Sequence, residues 1–142
     1  MRERRPDLVL VGCVKTQLDH PAPADELFAS PLFRYRRDFA ERSGRPWFIL
    51  SSRHGLVTPE TVIEPYDFPL ARQAVAFRRA WGAQAVADLA TAMGSLTGRR
   101  IEIHAGAAHA EPVIAALDQH GAHSHWPQRG LNAGQHLAWY RG

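Results

Sequence analysis

The chain of 142 residues contains one cysteine and one lysine. A single cysteine excludes an intramolecular disulfide, and this suits the reducing cytoplasm. No apolar run approaches the roughly 20 residues that a membrane-spanning helix needs, and the N-terminal segment lacks the pattern of a cleaved signal peptide. We therefore expect a cytoplasmic protein that has no membrane partner.

Arginine accounts for 16 of the 17 basic residues, so Lys15 is the only ammonium side chain. A net charge of +3 and a pI near 9.6 indicate either arginine-rich codon usage or an anionic partner, such as a nucleotide or nucleic acid. Two groups of arginines are close enough in sequence to form basic patches, one at 34, 36, 37 and 42 and the other at 72, 78 and 79. In a nucleic-acid module, Arg34, Arg36 and Arg37 are expected to contribute most. This clustering keeps nucleic-acid binding open.

Apolar, strand-like segments alternate with helical segments along the chain. Strands are predicted over 7–14, 46–51, 100–105 and 122–126, and helices over 30–42, 70–96, 108–120 and 132–140. Ser30 and Pro31 are typical of a helix start, and Gly82 or Gly94 is expected to interrupt the longest helix. The alternation predicts a single α/β domain over 1–142, with a three-layer Rossmann-like fold and a mostly parallel sheet of about four strands.

Polar groups follow the first three predicted strands at the point where each strand ends. They are Cys13 and Lys15 after the first strand, Ser51, Ser52, His54 and Gly55 after the second, and His104 and Gly106 after the third. Because parallel strands present their carboxyl ends at one edge of the sheet, we expect these groups to share a pocket.

Four residues are the catalytic candidates. Lys15 is either a solvated surface residue or a group that holds a phosphate or acts as a nucleophile, roles that arginine cannot fill in the same way. His54 is either an acid–base residue or a hydrogen-bonded framework histidine. Glu64 and Asp67 flank a proline-stiffened turn, where they either divide acid and base roles or cap the following helix.

The remaining pocket residues are expected to bind the substrate. They are Cys13, Ser51, Ser52, Gly55, Tyr66, His104 and Gly106. Cys13 is otherwise a small buried hydrophobic residue, a nucleophile that His54 or His104 would activate, or a redox-sensing thiol. Gly106 opens a helix whose N-terminus suits an anion. The three histidines at 120, 123 and 125 lack the cysteine or carboxylate that would complete a zinc set, so we predict no metal and no cofactor.

Five short motifs occur in order along most of the chain. They are 11–15 (VGCVK), 24–33 (ADELFASPLF), 47–57 (WFILSSRHGLV), 63–67 (IEPYD) and 104–106 (HAG). Together they resemble the YaaA-like family of small bacterial domains, the family of the peroxide-stress protein. A fainter similarity extends to a domain of archaeosine synthase. The resemblance implies a nucleotide or nucleic-acid setting and a pocket formed by Cys13, Lys15, Ser51, His54, Gly55, Glu64, Tyr66, Asp67 and His104.

The sequence therefore predicts a small enzyme that acts on a nucleotide, nucleoside or modified nucleobase, with cleavage or exchange of an N-glycosidic bond as one reaction. Its partner is expected to be a small anionic ligand such as a nucleotide. The alternative is a non-catalytic module that binds DNA or RNA through its arginines.

Overall fold

The computed structural model describes residues 5–142. Its strands are β1 (Leu8–Gly12), β2 (Ala22–Pro23), β3 (Trp47–Ser51), β4 (Gly55–Val57), β5 (Val62–Ile63), β6 (Arg100–His104) and β7 (His123–His125). Its α-helices are α1 (Ala24–Leu27), α2 (Pro31–Arg42), α3 (Val75–Met93), α4 (Ala107–Gln119) and α5 (Ala133–Tyr140), and a 3-10 turn covers Leu70–Arg72.

Five strands form one mostly parallel sheet in the order β4-β3-β1-β6-β7. The central strand β1 runs parallel to β3 and β6, and β7 runs parallel to β6. The sheet thus has five strands where the sequence predicted about four. The additional strand, β4, pairs antiparallel with β3, and Gly55 at its start has a φ of +72°, a conformation that favours glycine. Strands β2 and β5 form a separate two-stranded pair.

The sheet separates two apolar clusters. Leu8 and Leu10 of β1 face a cluster that α3 and α4 complete, whereas Val9 and Val11 face a cluster that includes α1 and α2. Because successive side chains of a strand point to opposite faces, a strand that is apolar at every position is buried on both sides. Helices therefore lie on both faces of the sheet, which is compatible with a three-layer α/β fold.

The helix that begins after Ser30 confirms the sequence prediction. The Ser30 hydroxyl accepts a hydrogen bond from the Phe33 amide at 3.1 Å, and Pro31 occupies the first helical position. The helix predicted over 70–96 is shorter than expected, because a 3-10 turn precedes it and α3 begins only at Val75.

Gly82 does not interrupt α3, and Gly94 ends it with a φ of +80°. Gly82 instead lies against α4, where an added Cβ would come within 2.6 Å of the Pro112 carbonyl oxygen. A side chain at this position would force the two helices apart. None of the helices within residues 5–142 has the length and apolar character that crossing a membrane requires.

The order of the strands creates a crevice at one edge of the sheet. From β1 the chain passes through α1 and α2 to β3 on one side, and from β3 it returns through α3 to β6 on the other side of β1. In open α/β sheets, ligands bind outside the carboxyl ends of the strands where the direction of winding reverses. Here that point lies between the ends of β1 and β6.

Candidate functional site

A cleft of about 570 Å³ lies at the carboxyl ends of β1 and β6. Most of its walls come from three segments: the loop that follows β1, the segment 66–72, and the first turn of α4; residues of α2 and Ser52 complete the lining. The volume falls within the range of sites for small ligands. A larger hollow of about 740 Å³ lies between α2 and α5, but none of the residues predicted for the site lines it. The cleft is therefore the candidate site.

Arg36 of α2 forms part of the cleft lining although it is only 4% exposed. One terminal nitrogen, Nη1, donates a hydrogen bond to the Gly12 carbonyl at 3.1 Å. Within residues 5–142, its Nε atom has no hydrogen-bond partner, and no ion pair involves Arg36. Burial lowers the pKa of the guanidinium from its usual value. Burying a cation without a counter-ion costs free energy, so an anion bound in the cleft next to Arg36 would be stabilising.

The first turn of α4 adds a second feature that favours negative charge. Gly106 precedes the helix and supplies no side-chain cap, and Ala107 and Ala108 line the cleft. Unsatisfied amide groups and the helix dipole at such an end attract anions. Lys15 and Arg72 are both exposed and both line the same cleft. Two flexible cations therefore stand at its rim, while Arg36 lies in its interior.

Cys13 stands at the centre of a small polar cluster. Its Sγ lies 3.4 Å from Nε2 of His109, a residue in the first turn of α4. The backbone N–H of Ser52 donates to the same sulfur at 3.4 Å, and the Tyr66 hydroxyl lies 3.7 Å from it. The structure thus joins the end of β1, the end of β3 and the start of α4 through one sulfur atom.

Burial, followed by the charge of Arg36, lowers the pKa of His109 to about 4. His109 is therefore neutral at pH 7 and has a ring nitrogen that can accept a proton. Burial also raises the pKa of Tyr66, with the neighbouring Cys13 as the next cause, so Tyr66 keeps its hydroxyl proton and can donate it in a hydrogen bond. The cluster combines a thiol, a neutral imidazole and a phenol beside a guanidinium.

The residues that follow β3 divide between the cleft and its support. Ser52 lines the cleft, whereas Ser51 is fully buried behind it, 2.7 Å from the Tyr66 hydroxyl. His54 is exposed and does not line the cleft. Its backbone amide donates a hydrogen bond to Ser51 Oγ at 3.1 Å, and its ring packs edge-on against the Tyr66 ring with 5.5 Å between the ring centroids. Burial lowers the pKa of His54, and Arg53 adds to the effect. Gly55 begins β4 outside the lining.

The two carboxylates proposed as an acid–base pair are placed differently. Asp67 lines the cleft, but Glu64 is exposed and lies outside the lining. Between them, the Tyr66 amide donates to Gln17 Oε1 at 2.9 Å and fixes the path of this segment. The cleft therefore receives one carboxylate from this motif.

His104, the last residue of β6, points away from the cleft and is fully buried. Its Nε2 lies 2.7 Å from Glu102 Oε2, its Nδ1 lies 2.6 Å from the Tyr140 hydroxyl, and its ring centroid lies 4.1 Å from that of Phe39. Burial lowers its pKa despite the carboxylate partner. Because Phe39 and Tyr140 belong to α2 and α5, His104 belongs to the opposite face of the sheet from α4.

The basic patch expected around Arg34, Arg36 and Arg37 is not a single surface. Arg36 is buried, Arg37 donates to the Asp25 carbonyl at 2.9 Å and pairs with Glu41, and Arg34 is exposed.

Across residues 5–142, no group of three or more His, Cys, Asp or Glu side chains has the arrangement that holds a metal ion.

Sequence reasoning did not place several lining residues in the cleft, Phe68 and Arg72 among them, and the two that matter most for its chemistry are His109 and Arg36. His109 follows the Gly106 turn by three positions, and this spacing was a usable signal, because the first turn of a helix points back towards the strand end. Arg36 lies on the apolar face of α2 between Phe33 and Ala40, and a charged residue on that face is an available sign of a buried cation.

Comparison with known proteins assigns the family. The model of a family described as "Family of unknown function (DUF6884)" matches residues 8–142. No curated protein and no solved structure matches the chain. The resemblance to the YaaA-like family and to archaeosine synthase is wrong as a family assignment, since it depended on short segments and the model of a different family matches nearly the whole chain. The chain belongs to DUF6884, a family of unknown function.

Proposed function

We propose that this protein is an enzyme that binds a nucleotide-type ligand in the cleft between β1 and β6 and acts on it as a hydrolase or transferase. The observation that carries the proposal is the buried Arg36, which lines the cleft without a counter-ion among residues 5–142. The partners of the buried guanidinium are neutral oxygens, the Gly12 carbonyl and the Tyr140 hydroxyl. Stability alone does not favour a buried charge with neutral partners only, so an anionic ligand is the simplest reason for its presence.

The phosphate of the ligand would lie at the start of α4, between Arg36 and the exposed ammonium of Lys15. Arg36 supplies a fixed charge with a free N–H, the helix end supplies amide groups, and Lys15 supplies a mobile point charge. Arg72 adds a further cation at the rim. These groups together match a phosphate dianion better than a single carboxylate.

The base or sugar would contact the segment that follows Glu64. Tyr66 and Phe68 line this wall, and Asp67 between them can accept hydrogen bonds from a sugar or base. Stacking of a base on an aromatic side chain contributes about 1–3 kcal/mol. The strand order supports the same placement, because the direction of winding reverses between β1 and β6, where the cleft lies.

The site chemistry supports reaction at the phosphate more directly than cleavage of an N-glycosidic bond. Glycosidic cleavage as expected from the sequence used two carboxylates, and Glu64 lies outside the cleft lining. The anion-binding groups and the Cys13 cluster instead surround one end of the cleft. His54 is left as a supporting residue for Tyr66.

Binding measurements test the proposal. Inorganic phosphate, nucleoside monophosphates and the matching nucleosides are titrated by calorimetry into the wild type, Lys15→Ala and Arg45→Ala. Arg45 is an exposed arginine next to the amino end of β3, so its removal changes the net charge equally at the far end of the sheet. We expect the monophosphate to bind more tightly than the nucleoside, and Lys15→Ala alone to lose about tenfold in affinity, or about 1.4 kcal/mol.

Two results would refute this function. One is the absence of binding by phosphate, nucleotides and nucleosides up to about 1 mM, the weak end of specific affinity. The other is tight binding of duplex DNA or RNA that falls steeply with salt and is unaffected by Lys15→Ala, because this behaviour would indicate a nucleic-acid module that uses surface arginines.

A further inference from the structure

We propose that Cys13 and His109 form a nucleophile–base pair, and that the Cys13 sulfur accepts the phosphoryl group of a phosphomonoester bound in the cleft. The inference depends on the proposed function for the identity of the ligand. It adds the bond that is broken and the atom that attacks.

The first line of evidence is the contact between the two side chains. Cys13 Sγ lies 3.4 Å from His109 Nε2, and both residues line the cleft. A nucleophile within hydrogen-bonding reach of a base is the expected arrangement for covalent catalysis. His109 is neutral at pH 7, so Nε2 has a free lone pair that faces the thiol, and because burial lowers its pKa to about 4 it holds a proton only transiently and passes it on readily.

The second line of evidence is the set of donors around the sulfur. The Ser52 N–H lies 3.4 Å from Sγ, and the Tyr66 hydroxyl lies 3.7 Å from it. Hydrogen bonds to a charged form stabilise that form, so these donors favour the sulfur when it carries negative charge. A thiol that served only as apolar filling would not need polar groups from three separate elements.

The third and independent line of evidence is Arg36. It is buried, its Nε atom has no partner among residues 5–142, and it lines the same cleft as the sulfur. The α4 terminus that carries His109 also presents its first turn to the cleft. The groups that would hold a phosphate lie next to the sulfur. The phosphorus atom of a phosphomonoester bound there would therefore be the electrophile closest to Cys13 Sγ.

The reaction proceeds in two balanced steps. The Cys13 thiol proton passes to His109 Nε2, the sulfur lone pair forms an S–P bond, and the bond from phosphorus to the ester oxygen breaks. That oxygen leaves with the electron pair, takes the proton from His109 and departs as the alcohol. Water then attacks phosphorus and gives one proton to His109, the S–P electron pair returns to sulfur, inorganic phosphate leaves, and His109 returns the proton to the sulfur. Arg36 and the start of α4 would stabilise the charge on the phosphoryl oxygens throughout.

The test uses phenyl phosphate and adenosine monophosphate with the full chain. Wild type, Cys13→Ala, His109→Gln and His120→Gln are compared for phosphate release, and reactions quenched in acid are examined by peptide mass spectrometry. His120 is the matched control, since it is an exposed histidine directly after the other end of α4. Thermal unfolding of each variant shows that it is folded.

We expect one phosphoryl group on the Cys13 peptide of the wild type and none in Cys13→Ala. Loss of the base is expected to lower kcat in His109→Gln by about 100-fold or more, whereas His120→Gln keeps the wild-type rate. Alkylation of Cys13 by iodoacetamide should slow about tenfold in His109→Gln for the same reason.

Equal turnover by Cys13→Ala and wild type would overturn the inference. Binding of the monophosphate without a phosphorylated cysteine and without phosphate release would overturn it as well, while leaving the proposed nucleotide site standing. Failure of every phosphate compound to bind would overturn both proposals together.

Discussion

Acidification should destabilise the protein through His109. Its pKa is about 4 in the folded chain, against 6.5 for the unperturbed residue. Between these two values the unfolded state binds the proton and the folded state does not, so stability is present above pH 6.5 and is lost as the pH falls towards 4. At 1.36 kcal/mol for each unit of pKa, the full loss is about 3 kcal/mol.

The assay is chemical denaturation of wild type and His109→Gln at about pH 7.5 and pH 4.5, where most of the titration is complete. Other buried histidines, among them His104 and His136, also have lowered pKa values and contribute in both proteins. The difference between the two proteins therefore isolates His109. We expect the wild type to lose about 2–3 kcal/mol more than the variant over this range. Equal losses would refute the conclusion that His109 is held in its neutral form.

Three further substitutions test the packing of the fold away from the cleft lining. Gly82→Ala should lower the free energy of unfolding by about 1–2 kcal/mol, because the added Cβ would lie 2.6 Å from the Pro112 carbonyl oxygen. The control Gly134→Ala should cost nothing, because a Cβ there makes only ordinary contacts. Equal effects of the two substitutions in chemical denaturation would disprove the close approach of α3 and α4. Gln128→Leu should leave the free energy of unfolding unchanged or higher by about 1 kcal/mol, since within residues 5–142 neither polar atom of the buried amide has a partner of good hydrogen-bond geometry, although the Tyr140 hydroxyl lies near it; a loss above about 2 kcal/mol would contradict this. Ser30→Ala should cost about 1 kcal/mol of unfolding free energy through loss of the cap on α2, and an unchanged value would be inconsistent with that role.

The order of helices and strands could be predicted because most elements have local signals. Ser30 and Pro31 mark the start of α2, and the capping box of Asn132 and Gln135 marks the start of α5. The fully apolar β1 indicates a central strand buried on both faces. The hairpin strand β4 was missed because three residues in a polar setting carry no usable periodicity.

The site was predicted in part, and the misses have physical reasons. The cleft includes Cys13, Lys15, Ser52 and Gly106, because parallel strands end at one edge. It also includes Tyr66 and Asp67, which a loop outside the parallel sheet brings to the same edge. His104 fails to join them because side chains alternate along β6, and those of Glu102 and His104 point towards the face that α5 covers. No sequence signal within residues 100–105 indicates which helix covers that face of the sheet. The burial of Arg36 likewise depends on how α2 packs, and only the three-dimensional structure supplies this information.

The most direct test of the anion site is to replace Arg36 with methionine and measure both stability and binding. Loss of an unpaired buried charge should offset the lost hydrogen bond to Gly12, so the free energy of unfolding should stay within about 1 kcal/mol of the wild type or rise. Affinity for adenosine monophosphate, measured by calorimetry, should fall at least tenfold, or about 1.4 kcal/mol. Unchanged affinity, or a stability loss above about 3 kcal/mol that makes Arg36 a structural residue, would contradict the account.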